Sequence, residues 1–141
     1  MANDTITKSI FLAAPRETVW TFLTRKDKLG LWFHPAEADL AKGQDYNLIR
    51  KEEDGSSTKM CWGSVLEMSA PDYLSYSFTI KPLQGQMTTV SWTLEEVHGG
   101  TKLSLTHEGI GSAAGAAAMG LLTALDAGWD KHLAQLREVA A

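Results

Sequence analysis

Between residues 5 and 108 apolar and polar side chains alternate in short runs, and beyond residue 109 the period lengthens to that of a helix. Alternation with a period of two marks strands that bury one face. Residues 5–13 form the first such run, ended by Pro15, which suits a first helical turn because its missing N–H is not needed there. Residues 16–23 place Val19, Trp20 and Leu23 on one helical face. Thr24-Arg25-Lys26-Asp27 has the pattern of a capping box for a second short helix over 25–31. Pro35 stops that helix and biases His34 toward extended backbone. A weak strand at 36–40 follows, then strands at 45–51, 58–68, 73–80, 87–97 and 101–108, separated by turns and by a loop at 82–86. In the third of these, Met60, Trp62, Ser64 and Leu66 are expected to face inward, with Cys61, Gly63, Val65 and Glu67 opposite. Short turns between alternating strands predict an antiparallel meander with one buried face.

Residues 112–139 read as one long helix. Its first half, from Ala113 to Ala118, is nearly all small side chains. Its second half sets Leu122, Leu125, Trp129, Leu133 and Leu136 three or four apart, hence on one face. Asp126, Asp130, Lys131, Gln135 and Glu138 fall largely on the other. A helix of this kind closes a sheet, and the reading turns on what lies between the two.

Length and composition narrow the class. The 141 residues fit a single domain, 1–141, able to bury a core without staples. A net charge of −4 argues against a general nucleic-acid binder, which would present a basic face. The lone cysteine, Cys61, cannot close an internal disulfide. The first residues lack the charged and apolar regions of a signal peptide. The uncharged run 109–125 is slightly short of the roughly 20 apolar residues a spanning helix needs, so no membrane association is expected and a cytoplasmic protein is the default.

Several separated blocks carry a family resemblance that covers essentially the whole chain. They are Ala14-Pro15-Arg16-Glu17-Thr18-Val19-Trp20, Leu29-Gly30-Leu31-Trp32-Phe33-His34-Pro35, Gly63-Ser64-Val65-Leu66-Glu67-Met68, Asp72-Tyr73-Leu74-Ser75-Tyr76-Ser77-Phe78, Val90-Ser91-Trp92-Thr93-Leu94, the run from Gly100 to Gly109, and Gly128-Trp129-Asp130-Lys131-His132-Leu133. Each is weak alone, but seven in order make a specific match. The chain resembles the Hsp90-ATPase-activator homologue family, C-terminal-domain type, within the START-like and Bet v1-like superfamily. The resemblance implies an α+β helix-grip fold: a curved seven-stranded antiparallel sheet around a long C-terminal helix, with two short helices after the first strand. Segment 110–118 departs from the family in being poor in large side chains.

The strongest candidate site is the space between helix and sheet. Trp32, Phe33, Trp62, Phe78, Trp92, Leu105 and Trp129 are expected to point into it, with Leu122 on the helix. Ala114, Ala117 and Ala118 are expected to form its opposite wall and leave room for a ligand. Ligand sites are typically concave and mostly apolar. The competing reading is that the aromatic stripe simply fills a core. Tyr76 and Ser64 share the expected inward face and offer polar handles. His107 lies beside Leu105 at the end of the last strand, where a structural role outweighs an acid–base one. Cys61 is expected to face outward and to be inert. No convergent ligand set suggests a metal, no Walker, Rossmann or nucleophile-elbow pattern occurs, and no cofactor is expected.

Three functions follow in order. The first is binding of a small hydrophobic or aromatic molecule in the cavity. The second is a protein-interaction or stress-related module akin to the Hsp90 co-chaperones, whose additional N-terminal domain has no room before the first strand here. The third is a cyclase-like enzyme, for which His107, Tyr76 and Ser64 are the only catalytic candidates. A homodimer is compatible with the sequence.

Overall fold

A computed structural model describes residues 4–140. Residues 1–3, on which the reading against a signal peptide partly rests, lie outside the described residues.

The alternation is realised as six antiparallel strands: β1 (Ile6–Leu12), β2 (Asp45–Lys51), β3 (Ser57–Ser69), β4 (Tyr73–Phe78), β5 (Thr88–Val97) and β6 (Gly100–Glu108). Their order across the sheet is β1-β6-β5-β4-β3-β2, so β2 to β6 form the expected meander and β1 closes it by pairing with β6. The helices α1 (Arg16–Thr24) and α2 (Lys26–Leu29) follow β1, and the chain ends in α3 (Ile110–Ala114) and the long α4 (Ala118–Ala140). This is the helix-grip arrangement, with one strand fewer than expected.

The missing strand is segment 36–40, which makes only an isolated bridge, Ala36 to Leu48. Two side chains take it elsewhere. Asp39 turns its carboxylate onto the backbone N–H of Lys26 at 2.8 Å, and Leu40 is buried in the core. Asp39 thereby does what the capping box was expected to do: Arg25 is the N-terminal cap of α2 and makes no side-chain cap, while Thr24 Oγ1 donates to Trp20 O.

The inner face of the sheet carries Leu74, Tyr76 and Phe78 of β4, Val90, Trp92 and Leu94 of β5, and Leu103, Leu105 and His107 of β6, all buried. Registers Leu74↔Trp92↔Leu105 and Tyr76↔Val90↔His107 align them in rows. The facing of β3 is the reverse of the expectation. Cys61, Gly63 and Val65 are buried, whereas Trp62 and Ser64 are half-buried and Leu66 is 49% exposed. Both faces of this strand are apolar enough to be the inner one, and a one-residue slip exchanges them. Gly63 decides it: a Cβ there would sit 2.0 Å from Ser77 O, so only glycine lets β3 approach β4.

The C-terminal helix also departs from expectation. Gly115 has φ 58° and ψ −121°, a conformation open to glycine but not to residues with a Cβ. It breaks the segment into α3, a 3-10 turn at Gly115–Ala117, and α4. Stretch Ile110–Ala140 is long enough to cross a membrane and contains an 18-residue window of mean hydropathy 1.3, by length and composition only. Its first part is largely exposed, and Met119 is 72% exposed. The second part carries Trp129, Leu133 and Leu136, all buried against the sheet and α1. Lys8 on β1 ties the same helix down through Asp126 at 2.7 Å and Asp130 at 3.0 Å.

Candidate functional site

Beneath α4, on the side facing β2 and β3, the grip leaves a cavity of about 430 Å³. Four parts of the chain build it. Helix α4 supplies Leu125, Gly128, Trp129 and His132, spaced so that they share one face. Phe33 and His34 come from the segment after α2, held in place because Trp32 Nε1 donates to Phe22 O at 2.8 Å. Strands β2 and β3 supply Arg50 and the run from Thr58 to Cys61. Their pairing shifts by one residue, from Leu48↔Cys61 to Ile49↔Lys59. This bulge leaves Met60 unpaired and lets the four successive residues from Thr58 to Cys61 border the same space. Phe78 ends β4, and Ile80, Lys81 and Pro82 close the far side.

The wall is aromatic. Phe33 lies 5.2 Å from Trp32 in a stacked pair, 5.2 Å from Trp129 and 4.8 Å from His132. Trp129 meets Trp92 edge-on at 5.6 Å and Phe78 at 6.1 Å. The position of Trp129 is fixed by a hydrogen bond from its Nε1 to His107 Nδ1 at 3.0 Å. The other ring nitrogen of His107 meets Thr88 Oγ1 at 2.8 Å. That hydroxyl already donates to Phe78 O at 2.7 Å, so His107 Nε2 is the donor and Nδ1 the acceptor. A second ring proton would point at the indole N–H. Burial lowers the pKa of His107 to about 4, in the same direction, and the imidazole is neutral. His107 is therefore a strut behind the cavity rather than a group within it.

The other histidines line the cavity itself. His34 and His132 lie 5.4 Å apart. His132 Nδ1 is 3.2 Å from Trp32 O, which makes it the protonated nitrogen. Burial, then His132, then Arg50 bring the pKa of His34 down to about 4. Burial also lowers that of His132, opposed by its bond to Trp32. Cys61, buried rather than outward as expected, has its thiol pushed up to about 12 by burial alone. It is a poor nucleophile there, since the thiolate is the reactive form. Among the described residues no group of three or more His, Cys, Asp or Glu is placed to hold a metal ion.

Of the residues singled out from sequence, Phe33, Phe78 and Trp129 line the cavity, with Trp32 and Trp92 packed directly behind them. Tyr76 and Leu105 are buried in the sheet core, and the Tyr76 hydroxyl accepts from Trp92 Nε1 at 2.9 Å. Trp62 lies on the outer face under the Lys59 ammonium, 4.8 Å from its ring, because of the reversed facing of β3. Leu122 belongs to a shallow depression beside β1, with Ile6 and Met119. Ala114, Ala117 and Ala118 line no part of the cavity, since the break at Gly115 carries them away from the sheet. The triad weighed for catalysis does not converge: Ser64 bonds Asp45 on the outer face, while Tyr76 and His107 are engaged within the core.

Of the fifteen lining residues the sequence reading placed only Phe33, Phe78 and Trp129 in the cavity; it missed the rest, among them His34, Arg50, Lys81, Leu125, Gly128 and His132. The spacing Leu125, Trp129, His132 was a legible pointer on the helix side. On the sheet side the bulge at Met60 decides which residues enter, and alternation does not reveal it.

Comparison with known proteins agrees with the architecture. A family model described as activator of Hsp90 ATPase homolog 1-like protein matches residues 13–141. No curated protein matches the sequence. Among solved structures, protein MLL2253 of Mesorhizobium loti is similar at TM-score 0.74 and 22% identity, over 95% of this chain and 94% of that one. CalU16 of Micromonospora echinospora is similar at 0.75 and 22%, over 97% and 76%. An AHSA1-like protein of Aeromonas hydrophila is similar at 0.73 and 18%, over 95% and 90%. At these identities the likeness is one of fold.

Proposed function

Since the chain belongs to the family of activator of Hsp90 ATPase homolog 1-like proteins and its grip leaves a cavity under the helix, we propose that it binds a small hydrophobic or aromatic molecule there, as a cytoplasmic binding protein. One observation carries this reading. The cavity is walled by Phe33, Phe78 and Trp129, with Met60, Ile80 and Leu125 completing an apolar interior. Its volume lies in the usual range of roughly 300–1,000 Å³ for small-molecule sites. The wall is rigid, because Trp129 is pinned by His107 and Phe33 is stacked on Trp32. A pre-formed aromatic wall lowers the ordering cost of binding.

Native mass spectrometry followed by denaturing extraction tests the proposal, together with thermal unfolding against a panel of lipids and aromatic compounds. A co-purifying organic mass or a saturable rise in melting temperature is expected. A clean apo mass with no shift from any compound overturns it.

A further inference from the structure

The cavity mouth differs in charge from the rest of the molecule. The chain holds 13 Lys and Arg against 17 Asp and Glu. Yet Arg50, Lys59 and Lys81 line the cavity and no acidic residue does. These three come from β2, β3 and the turn after β4, so they meet only through the fold. We infer that the molecule held here carries an anionic group, such as a carboxylate or sulfonate on a hydrophobic or aromatic body, and that Arg50 and Lys81 receive it at the mouth.

The inference rests on the cavity reading above and adds the headgroup. The arrangement of the cations supports it. Arg50 uses only its Nε on Glu52, at 3.1 Å, which leaves the terminal guanidinium nitrogens as donors. Lys59 borders the cavity, but its ammonium lies over the Trp62 ring on the outer face and takes no part. Lys81 forms no ion pair among the described residues. Apolar interior and cationic mouth are therefore continuous, and an amphiphile with one negative end matches both. A fully neutral ligand would leave two cations beside its exit with nothing to receive. A cationic ligand would be repelled.

Two fluorescent probes with the same aromatic body separate the inferences: anionic 1-anilinonaphthalene-8-sulfonate and neutral N-phenyl-1-naphthylamine. Each is titrated against the wild type, a combined Arg50→Gln, Lys81→Gln variant, and Gly128→Trp. Gly128 lines the cavity with open space beyond its Cα, so the indole reports whether a probe sits inside. Thermal unfolding shows that each variant is folded. The expected result is that Gly128→Trp abolishes binding of both probes. The double variant should lower the sulfonate-to-neutral affinity ratio at least tenfold and leave neutral-probe affinity within about twofold. High salt should weaken only the sulfonate in the wild type, because exposed charges are screened. An unchanged ratio, with neutral-probe binding still blocked by Gly128→Trp, overturns the anionic headgroup and spares the cavity reading. Binding of neither probe, or binding indifferent to Gly128→Trp, overturns both.

Discussion

Helix α4 faces two environments, and they treat polar groups in opposite ways. Toward β1, β5 and β6 each buried polar atom has an internal partner: Trp129 to His107, His107 to Thr88, Thr88 to Phe78 O, and Trp92 to Tyr76. Toward β2 and β3 the helix stands over a cavity, and Arg50, Lys59, Lys81 and two neutral histidines border it. The first side spends its hydrogen-bonding capacity on making one rigid wall. The second side keeps that capacity at an opening. Trp129 belongs to both sides, which is why the packing of the closed half sets the shape of the open one.

The comparison breaks most readily at Trp129. Trp129→Ala removes the shared ring and should cost about 3–5 kcal/mol, measured by urea unfolding, with probe binding lost as well. His107→Leu removes a strut only from the closed half. It leaves the Trp129 N–H unpartnered in the core, an expected loss of about 1–3 kcal/mol, and unpins the Trp129 ring at the cavity wall.

The same histidine sets a pH dependence. Its folded pKa, about 4, lies below the ordinary value of about 6.5. Between those values the unfolded chain binds more protons, so stability falls as pH drops from about 6.5 to about 4 and is flat above about 7. At about 1.4 kcal/mol per pKa unit, the full loss from this group is on the order of 3–4 kcal/mol. Unfolding midpoints across that range should show the decline, with a shallower slope in His107→Leu. A slope unaltered by the substitution would assign the titration to His34 and His132, which are shifted in the same direction. The smallest effect is expected at Lys8→Gln. It removes ion pairs to the exposed Asp126 and Asp130 and should cost less than about 1 kcal/mol.

The meander from β2 to β6 and the core rows of β4, β5 and β6 were legible in the sequence because alternation there is clean and each polar face is plainly polar, whereas the pairing of β1 with β6 was not. Strand β3 was not, because Met60, Trp62 and Leu66 compete with Cys61 and Val65 for the inner face, and the arbiters are the backbone approach at Gly63 and the bulge at Met60. The alanine-rich segment misled in another way. Small side chains opposite aromatic ones suggest a cavity wall only if the helix is continuous, and Gly115 turns the segment out of line. Leu125, Trp129 and His132 lay in view at helical spacing. The basic rim did not, since Arg50, Lys59 and Lys81 are brought together only by strand pairing and the turn after β4.

The most direct test of the site's location compares Gly128→Trp with Ala117→Trp in binding of neutral N-phenyl-1-naphthylamine. Gly128 lines the cavity, and replacing a mid-helix glycine recovers up to about 1 kcal/mol of helix propensity. Ala117 lies exposed on the turn before α4, where a surface substitution changes stability by about 0.5 kcal/mol or less. Loss of binding in Gly128→Trp at an undiminished melting temperature, with wild-type affinity in Ala117→Trp, is the predicted result. Wild-type affinity in Gly128→Trp would contradict the account, and loss in Ala117→Trp would move the site to the alanine-rich segment.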